Sequence, residues 1–354
     1  MRMLGRCYFC RRIFNPKRMR KTVWMFVALL LCLVGCRQPR PGKYPLPYYA
    51  DQRGVYYWRT VFALSDSERN FLKEHKIKRL YVRFFDVTLN PDTSSTEKCI
   101  PVGTIKFRTP IPTGVEVVPV VFITPEAIRH HEEFTRFLAH RIYAMCQYNH
   151  IGFKEVQFDC DWTASTRESY FQFIKDVQAE LKQFCPSVEI SATIRLHQLA
   201  QTPPEVAYGT LMCYNTGDFK DFRTRNAILD MKDVKPYLKY LENYPLPLTL
   251  ALPDYDWNVE FSANQEFMSL NKYTFDFSDK QRFHKTDREN VYKQMENGQL
   301  YRFVRHESSS AKEILDVKKA VSKARKADMP VTLYHLDSTQ LSKYTDNEIK
   351  KFFR

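Results

Sequence analysis

The stretch that decides the fold is Glu155-Val156-Gln157-Phe158-Asp159-Cys160-Asp161-Trp162. Successive side chains of a strand point to opposite faces, so Glu155, Gln157, Asp159 and Asp161 share one face and Val156, Phe158, Cys160 and Trp162 the other. The apolar face must pack on helices, which leaves a row of four polar groups pointing into an interior. Asp159 and Asp161 then stand about 7 Å apart. Such a pair either raises one pKa, recruits a cation or belongs to a polar network inside the sheet. Ser191, Thr193 and Arg195 alternate in the same way with Ile190, Ala192, Ile194 and Leu196, so Arg195 is placed to compensate the two aspartates.

Seven further β-rich runs surround this one: Val55–Phe62, Leu80–Val87, Val117–Thr124, Glu189–Leu196, Thr210–Asn215, Leu248–Asp254 and Val331–Asp337. Helical patterns separate several of them. Ser65-Asp66-Ser67-Glu68 is a capping box, and Thr124-Pro125 supplies an N-cap with proline at the first helical position. Tyr170, Phe173, Ile174, Val177 and Leu181 recur at helical spacing, as do Ile314, Leu315, Val317, Val321 and Ala324. Eight strands separated mostly by helices point to a parallel sheet closed as a (β/α)8 TIM barrel. An open doubly wound sheet is the alternative. No Gly-rich phosphate turn follows any strand, and the chain has only ten glycines, so no cofactor is expected. Residues 258–306 are too long for a plain connection and read as an insertion between strands seven and eight.

The 354 residues carry 54 Lys plus Arg against 40 Asp plus Glu, a net charge of +14. Eight of the basic residues, and no acidic one, fall in residues 1–35. Without them forty-six basic face forty acidic residues, a net of +6, and the nucleic-acid reading that a pI near 9.2 invites loses its support. The charged runs Lys318-Lys319 and Lys323–Lys326 are expected on the solvent side of an amphipathic helix. His130-His131-Glu132-Glu133 lacks a metal-ligand spacing and is expected on a solvated helix face.

The leading basic stretch gives way to an apolar run, Val23 to Val34. Its twelve residues rise only about 18 Å as a helix, short of a hydrocarbon core, and read as the core of a secretory signal. The run ends in Leu33-Val34-Gly35-Cys36, which resembles a bacterial lipobox. That resemblance implies cleavage before Cys36, lipidation there and anchoring in a lipid bilayer of the cell envelope. Arg37 follows the cysteine in place of an inner-membrane retention Asp, which favours the outer membrane where there is one. The expected organisation is a signal peptide over 1–35, a Pro-rich extended tether over 36–53 and the barrel over 54–354. Cys99, Cys146, Cys160, Cys185 and Cys213 have neither zinc-site nor disulfide-framework spacing, so buried free thiols and no metal are expected.

Phe158-Asp159-Cys160-Asp161-Trp162 resembles the fourth-strand motif DGxDxDxE of glycoside hydrolase family 18. Met212-Cys213-Tyr214-Asn215 is similar to the family's sixth-strand MxY[DN] motif. Leu250–Trp257 (LALPDYDW) is similar to its seventh-strand segment, notably the GxPxYGYDW form of bacterial spore-cortex glycosidases. Tyr334-His335-Leu336 stands where the family has a Trp. The resemblance implies a glycan partner and substrate-assisted hydrolysis, in which the 2-acetamido oxygen of an N-acetylhexosamine attacks its own anomeric carbon. It further implies that Asp161 orients the acetamido group with Asp159 in support, that Tyr214 bonds its oxygen, and that Asn215 lines the subsite. Thr163 occupies the position of the family's acid, a Glu, and Gln157 that of its Gly. A hydroxyl is no general acid near neutral pH.

Three functions stay open. A glycosidase with a relocated acid would draw on Asp161, Asp86, Asp254 or Asp256. A non-catalytic glycan binder would keep the cleft, with Trp58, Tyr255 and Trp257 suited to sugar stacking and Arg83, Asp86, Arg195, Asp256, Tyr334 and His335 lining it. An envelope interaction scaffold would use the barrel as a frame alone.

Overall fold

The structure is a computed structural model that describes residues 45–47 and 52–354; the leader over 1–35, Cys36 and most of the tether lie outside the described residues. Eight strands form one parallel ring: β1 (Gly54–Tyr57), β2 (Arg79–Leu89), β3 (Glu116–Ile123), β4 (Glu155–Cys160), β5 (Glu189–Arg195), β6 (Tyr208–Met212), β7 (Leu248–Pro253) and β8 (Val331–Tyr334). β8 pairs with β1, and β1 pairs with β2, so the sheet closes on itself. The fold is a closed eight-stranded (β/α)8 barrel.

Helices cover its outside. α1 (Asp66–Glu74) opens on the Ser65/Glu68 capping box, and α4 (Ala311–Arg325) opens on a second one, Ser310/Glu313. α2 (His131–Tyr148) and α3 (Arg167–Phe184) pack side by side, Phe134 against Phe173. α3 buries Tyr170, Phe173, Ile174, Val177 and Leu181, the stripe its 3.6-residue periodicity marks. Thr124 accepts the Ala127 amide, as a cap should. The turn it opens, however, is a 3₁₀ segment over Ala127–His130, and the α-helix starts only at His131.

Local readings fail where a neighbour supplies what the pattern could not. The run Val55–Phe62 is two strands, because Tyr57 Oη donates to the Val61 carbonyl and accepts from the Ala63 amide, turning the chain between them. Val61–Phe62 pairs instead with Lys106–Phe107. β8 stops at Tyr334, so His335 and Asp337 are not strand residues; Asp337 caps the short helix Ser338–Leu341. His131 is buried on the side facing α3, with Asp176 3.9 Å away, rather than solvated. Arg325 leaves the solvent side of α4 and donates to the carbonyls of Leu241, Tyr244 and Leu246. Lys319, Lys323 and Lys326 do face water, whereas Lys318 is half-buried and its amine is pushed down to about 8 by that burial.

Between β7 and β8 the chain builds a five-stranded antiparallel sheet from Asp256–Ser262, Phe267–Asn271, Phe283–Lys285, Val291–Glu296 and Gln299–Ser308. Its first strand starts three residues after β7, at the carboxyl end of the barrel. All five cysteines among the described residues are free thiols, and Cys146, Cys160 and Cys213 are buried.

Candidate functional site

The register of the barrel stacks the polar row of β4 into layers. At the amino end of the strands Glu155 accepts from Arg79 Nη2 at 2.5 Å, Tyr208 Oη at 2.6 Å and Ser191 Oγ. Tyr81 and Tyr208 share a hydroxyl contact of 2.8 Å beside them. One layer up, Gln157 accepts from Tyr56 Oη and donates to Ser191 and Thr210 at 3.2 and 3.1 Å. Glu155, Arg79, Tyr208, Ser191, Tyr81, Gln157, Tyr56 and Thr210 are all buried.

Above them the character changes. Asp159 accepts from Thr193 Oγ1 at 2.6 Å and lies 3.7 Å from Arg195 Nη2. Arg195 Nε donates to Asp161. Burial raises the Asp159 carboxyl to about 6; Arg195 opposes the shift, and Asp161 adds to it as a second negative charge. Asp161 itself is 42% exposed, so the ladder runs from a dry interior to an open carboxylate within two residues.

Aromatic rings wall this mouth. Tyr334, at the end of β8, stacks on Tyr214 with centroids 4.6 Å apart, and meets Trp58, Tyr255 and Tyr56 at 5.6, 5.6 and 5.7 Å. The Tyr334-His335 peptide bond is cis. Tyr255 Oη donates to Asn215 Oδ1 at 2.5 Å, and Asn215 takes a left-handed φ of 52° just past β6. Arg83 is paired with Asp86 and lies 5.9 Å from the Trp58 ring, while Arg195 lies as far from the Tyr214 ring. Asp161, Arg195, Tyr214 and Asn215 line a cavity of about 260 Å³, joined by His197, Met212, Thr216 and Tyr237.

The structure therefore gathers Asp159, Asp161, Arg195, Tyr214, Asn215, Tyr255, Tyr334 and Trp58 at one end of the barrel, with Arg83 and Asp86 at the flank. It commits four other candidates elsewhere. Asp256 binds Lys343 and Gln340 on the C-terminal helical segment. Trp257 Nε1 donates to Glu307 at 2.6 Å, a cross-strand contact inside the inserted sheet. His335 is buried behind Tyr334, and burial lowers its imidazole to about 4, so it is neutral across the physiological range. Asp254 is fully buried with burial raising its carboxyl well above the ordinary range, a shift to which Asp337 adds. Its side chain has no exposed surface from which to act as an acid. Thr163 is exposed, and among the described residues its hydroxyl meets only Ser165.

Tyr56 is a site residue that strand patterning could have found, since it shares a face with Trp58 two residues on. Tyr237, Thr216 and His197 carry no such signal; loops bring them in.

No protein-family model matches the chain, and no curated protein matches it. Among solved structures it is similar to the spore cortex-lytic enzyme SleL of Bacillus cereus, at 14% identity and a TM-score of 0.49 over 86% of this chain and 75% of that one. A chitinase from Bacteroides thetaiotaomicron gives 13% and 0.49 over 85% and 96% of the two chains. A glycoside hydrolase family 18 chitinase from Cycas revoluta, in complex with (GlcNAc)3, gives 12% and 0.47 over 85% and 98%. The closed barrel itself stands on the strand pairings given above.

Proposed function

We propose that this chain is a bacterial envelope lipoprotein, anchored through Cys36, whose glycoside hydrolase-like barrel recognises N-acetylhexosamine-containing glycan of the envelope or of a host. The observation that carries the reading is the mouth of the barrel, where the partly exposed rings of Trp58 and Tyr334, backed by the buried rings of Tyr214 and Tyr255, stand beside a half-exposed carboxylate and its arginine. Sugar rings present apolar C–H faces to aromatic side chains and hydroxyl or amide edges to charged groups, and this mouth offers both. Of the positions that the sequence motifs align with an acetamido subsite, Asp161, Tyr214 and Asn215 line its cavity, and Asp159 lies buried beneath them.

Recognition without hydrolysis is the form the geometry supports best. Thr163 offers no acid, and Asp161 and Asp86 are each held by an arginine. One observation favours hydrolysis with a non-standard acid instead: the Asp159 carboxyl, raised to about 6, carries a proton into the mildly acidic range. Isothermal titration of the protein with N-acetylglucosamine oligomers and with peptidoglycan fragments, paired with product analysis, separates the two. Saturable binding with no cleavage is the expected result. Cleavage abolished by Asp161→Asn establishes the enzyme, and absence of both binding and cleavage across a broad glycan panel returns the barrel to a scaffold.

A further inference from the structure

The outer face of α2 carries a second surface that glycan recognition does not use. Phe137 and Tyr148 are 75% and 85% exposed there. Eleven residues apart, they fall on one helical stripe about 16 Å long. Beside the stripe runs a groove of about 720 Å³ with Phe107 and Met145 in its wall. Its charged lining is Lys106, Arg108 and Arg141, with no acidic side chain. None of these three cations forms an ion pair among the described residues; Lys106 and Arg108 are exposed, and Arg141 donates to Thr104 Oγ1 at 2.9 Å. Tyr148 closes α2 shortly before β4 begins, so it lies at the barrel end where β1 also begins, opposite the end that carries Asp161.

Large exposed rings interleaved with unpaired cations fit a medium that is apolar within and anionic at its surface. We propose that this face docks on an anionic phospholipid bilayer, Phe137 and Tyr148 entering the headgroup boundary while Lys106, Arg108 and Arg141 meet the phosphates. A second copy of the chain fits worse, because a two-fold contact through this patch would set the same cations against one another. The inference rests on the lipid-anchored reading, since a tether holds the barrel at high local concentration beside the membrane. Docking leaves the glycan mouth, at the far end from Tyr148, open to solvent.

The test uses the full-length chain with phosphatidylcholine or phosphatidylglycerol vesicles, reading flotation for attachment and hydroxyl-radical labelling for the buried face. In phosphatidylglycerol, labelling of Phe137 and Tyr148 should fall about fivefold relative to phosphatidylcholine, as for side chains that leave water for the headgroup boundary. Tyr273, 71% exposed on the inserted segment, should label equally in both. The double variant Lys106→Glu/Arg108→Glu should restore labelling in phosphatidylglycerol without changing flotation. Flotation with both lipids and equal labelling in both keeps the anchor and overturns the docking. Flotation with phosphatidylglycerol alone, with protection, overturns the anchor and supports the docking. Protection that needs no vesicles and grows with protein concentration assigns the face to a second copy and overturns the proposal.

Discussion

Two arginine–carboxylate clusters sit at opposite ends of the same strands. At the amino end Arg79 and Glu155 are both essentially inaccessible, and Tyr208 and Ser191 fill the remaining acceptor positions of the carboxylate. At the carboxyl end Arg195 spans Asp159 and Asp161, and the second of these looks into the 260 Å³ cavity. Residue types and strand spacing are nearly identical, since Glu155, Asp159 and Asp161 share one face of one strand. The surroundings make one cluster a plug and the other a site: the carboxylate of the first accepts from Arg79, Tyr208 and Ser191 in the buried interior, and the second keeps an open carboxylate beside aromatic rings. A buried ion pair need not add stability, but removing one partner strands the other.

That contrast can be broken by mutation. Arg79→Met should destabilise the protein by about 3–5 kcal/mol, because it leaves Glu155 charged and dry; chemical denaturation reads it, and a smaller loss than that from Arg195→Met would erase the distinction between the ends. Trp58→Ala should weaken oligosaccharide binding by about 2 kcal/mol, or roughly 30-fold in Kd, as aromatic anchors do. Unchanged affinity in titration would reduce the rings to packing.

The pH dependence of stability sharpens the comparison from another side. Asp159 is raised in the folded state from 3.8 to about 6, so its contribution is full below pH 3.8 and is lost as pH climbs through 6. His335 is lowered from 6.5 to about 4, so its contribution is full above 6.5 and is lost as pH falls through 4. The two slopes oppose each other between about pH 4 and 6. Denaturation midpoints of Asp159→Asn should therefore rise more steeply with pH across that window than those of the wild type. A profile unaffected by the substitution would remove Asp159 from the buried, proton-holding role. Smallest of all should be the effect of Asp161→Asn on stability, under about 1 kcal/mol for a half-exposed pair; a larger loss would make Asp161 part of the plug.

Much of this architecture was legible beforehand. Alternation along Glu155–Trp162 places the polar row, and capping boxes at Ser65 and Ser310 mark helix starts, because both signals are local. Where local pattern failed, a distant group had intervened. Tyr57 divides the first strand, α3 covers His131, and three carbonyls over Leu241–Leu246 draw Arg325 out of water. Trp257 and Asp256 read as cleft residues by adjacency to Tyr255, yet Glu307 and Lys343 claim them from segments far along the chain. Tyr237, which lines the cavity, sits in no pattern at all.

By itself the sequence determined the eight parallel strands, the inward carboxylates and the arginine opposite them, since strand periodicity and the avoidance of buried unpaired charge act over a few residues, whereas closure of the sheet came from the pairing of its first and last strands. Only the tertiary structure decided which carboxylate stays dry and which opens to a ligand. Solvent access and the last hydrogen-bond partner are properties of the packed barrel, set by side chains that arrive from other strands and loops.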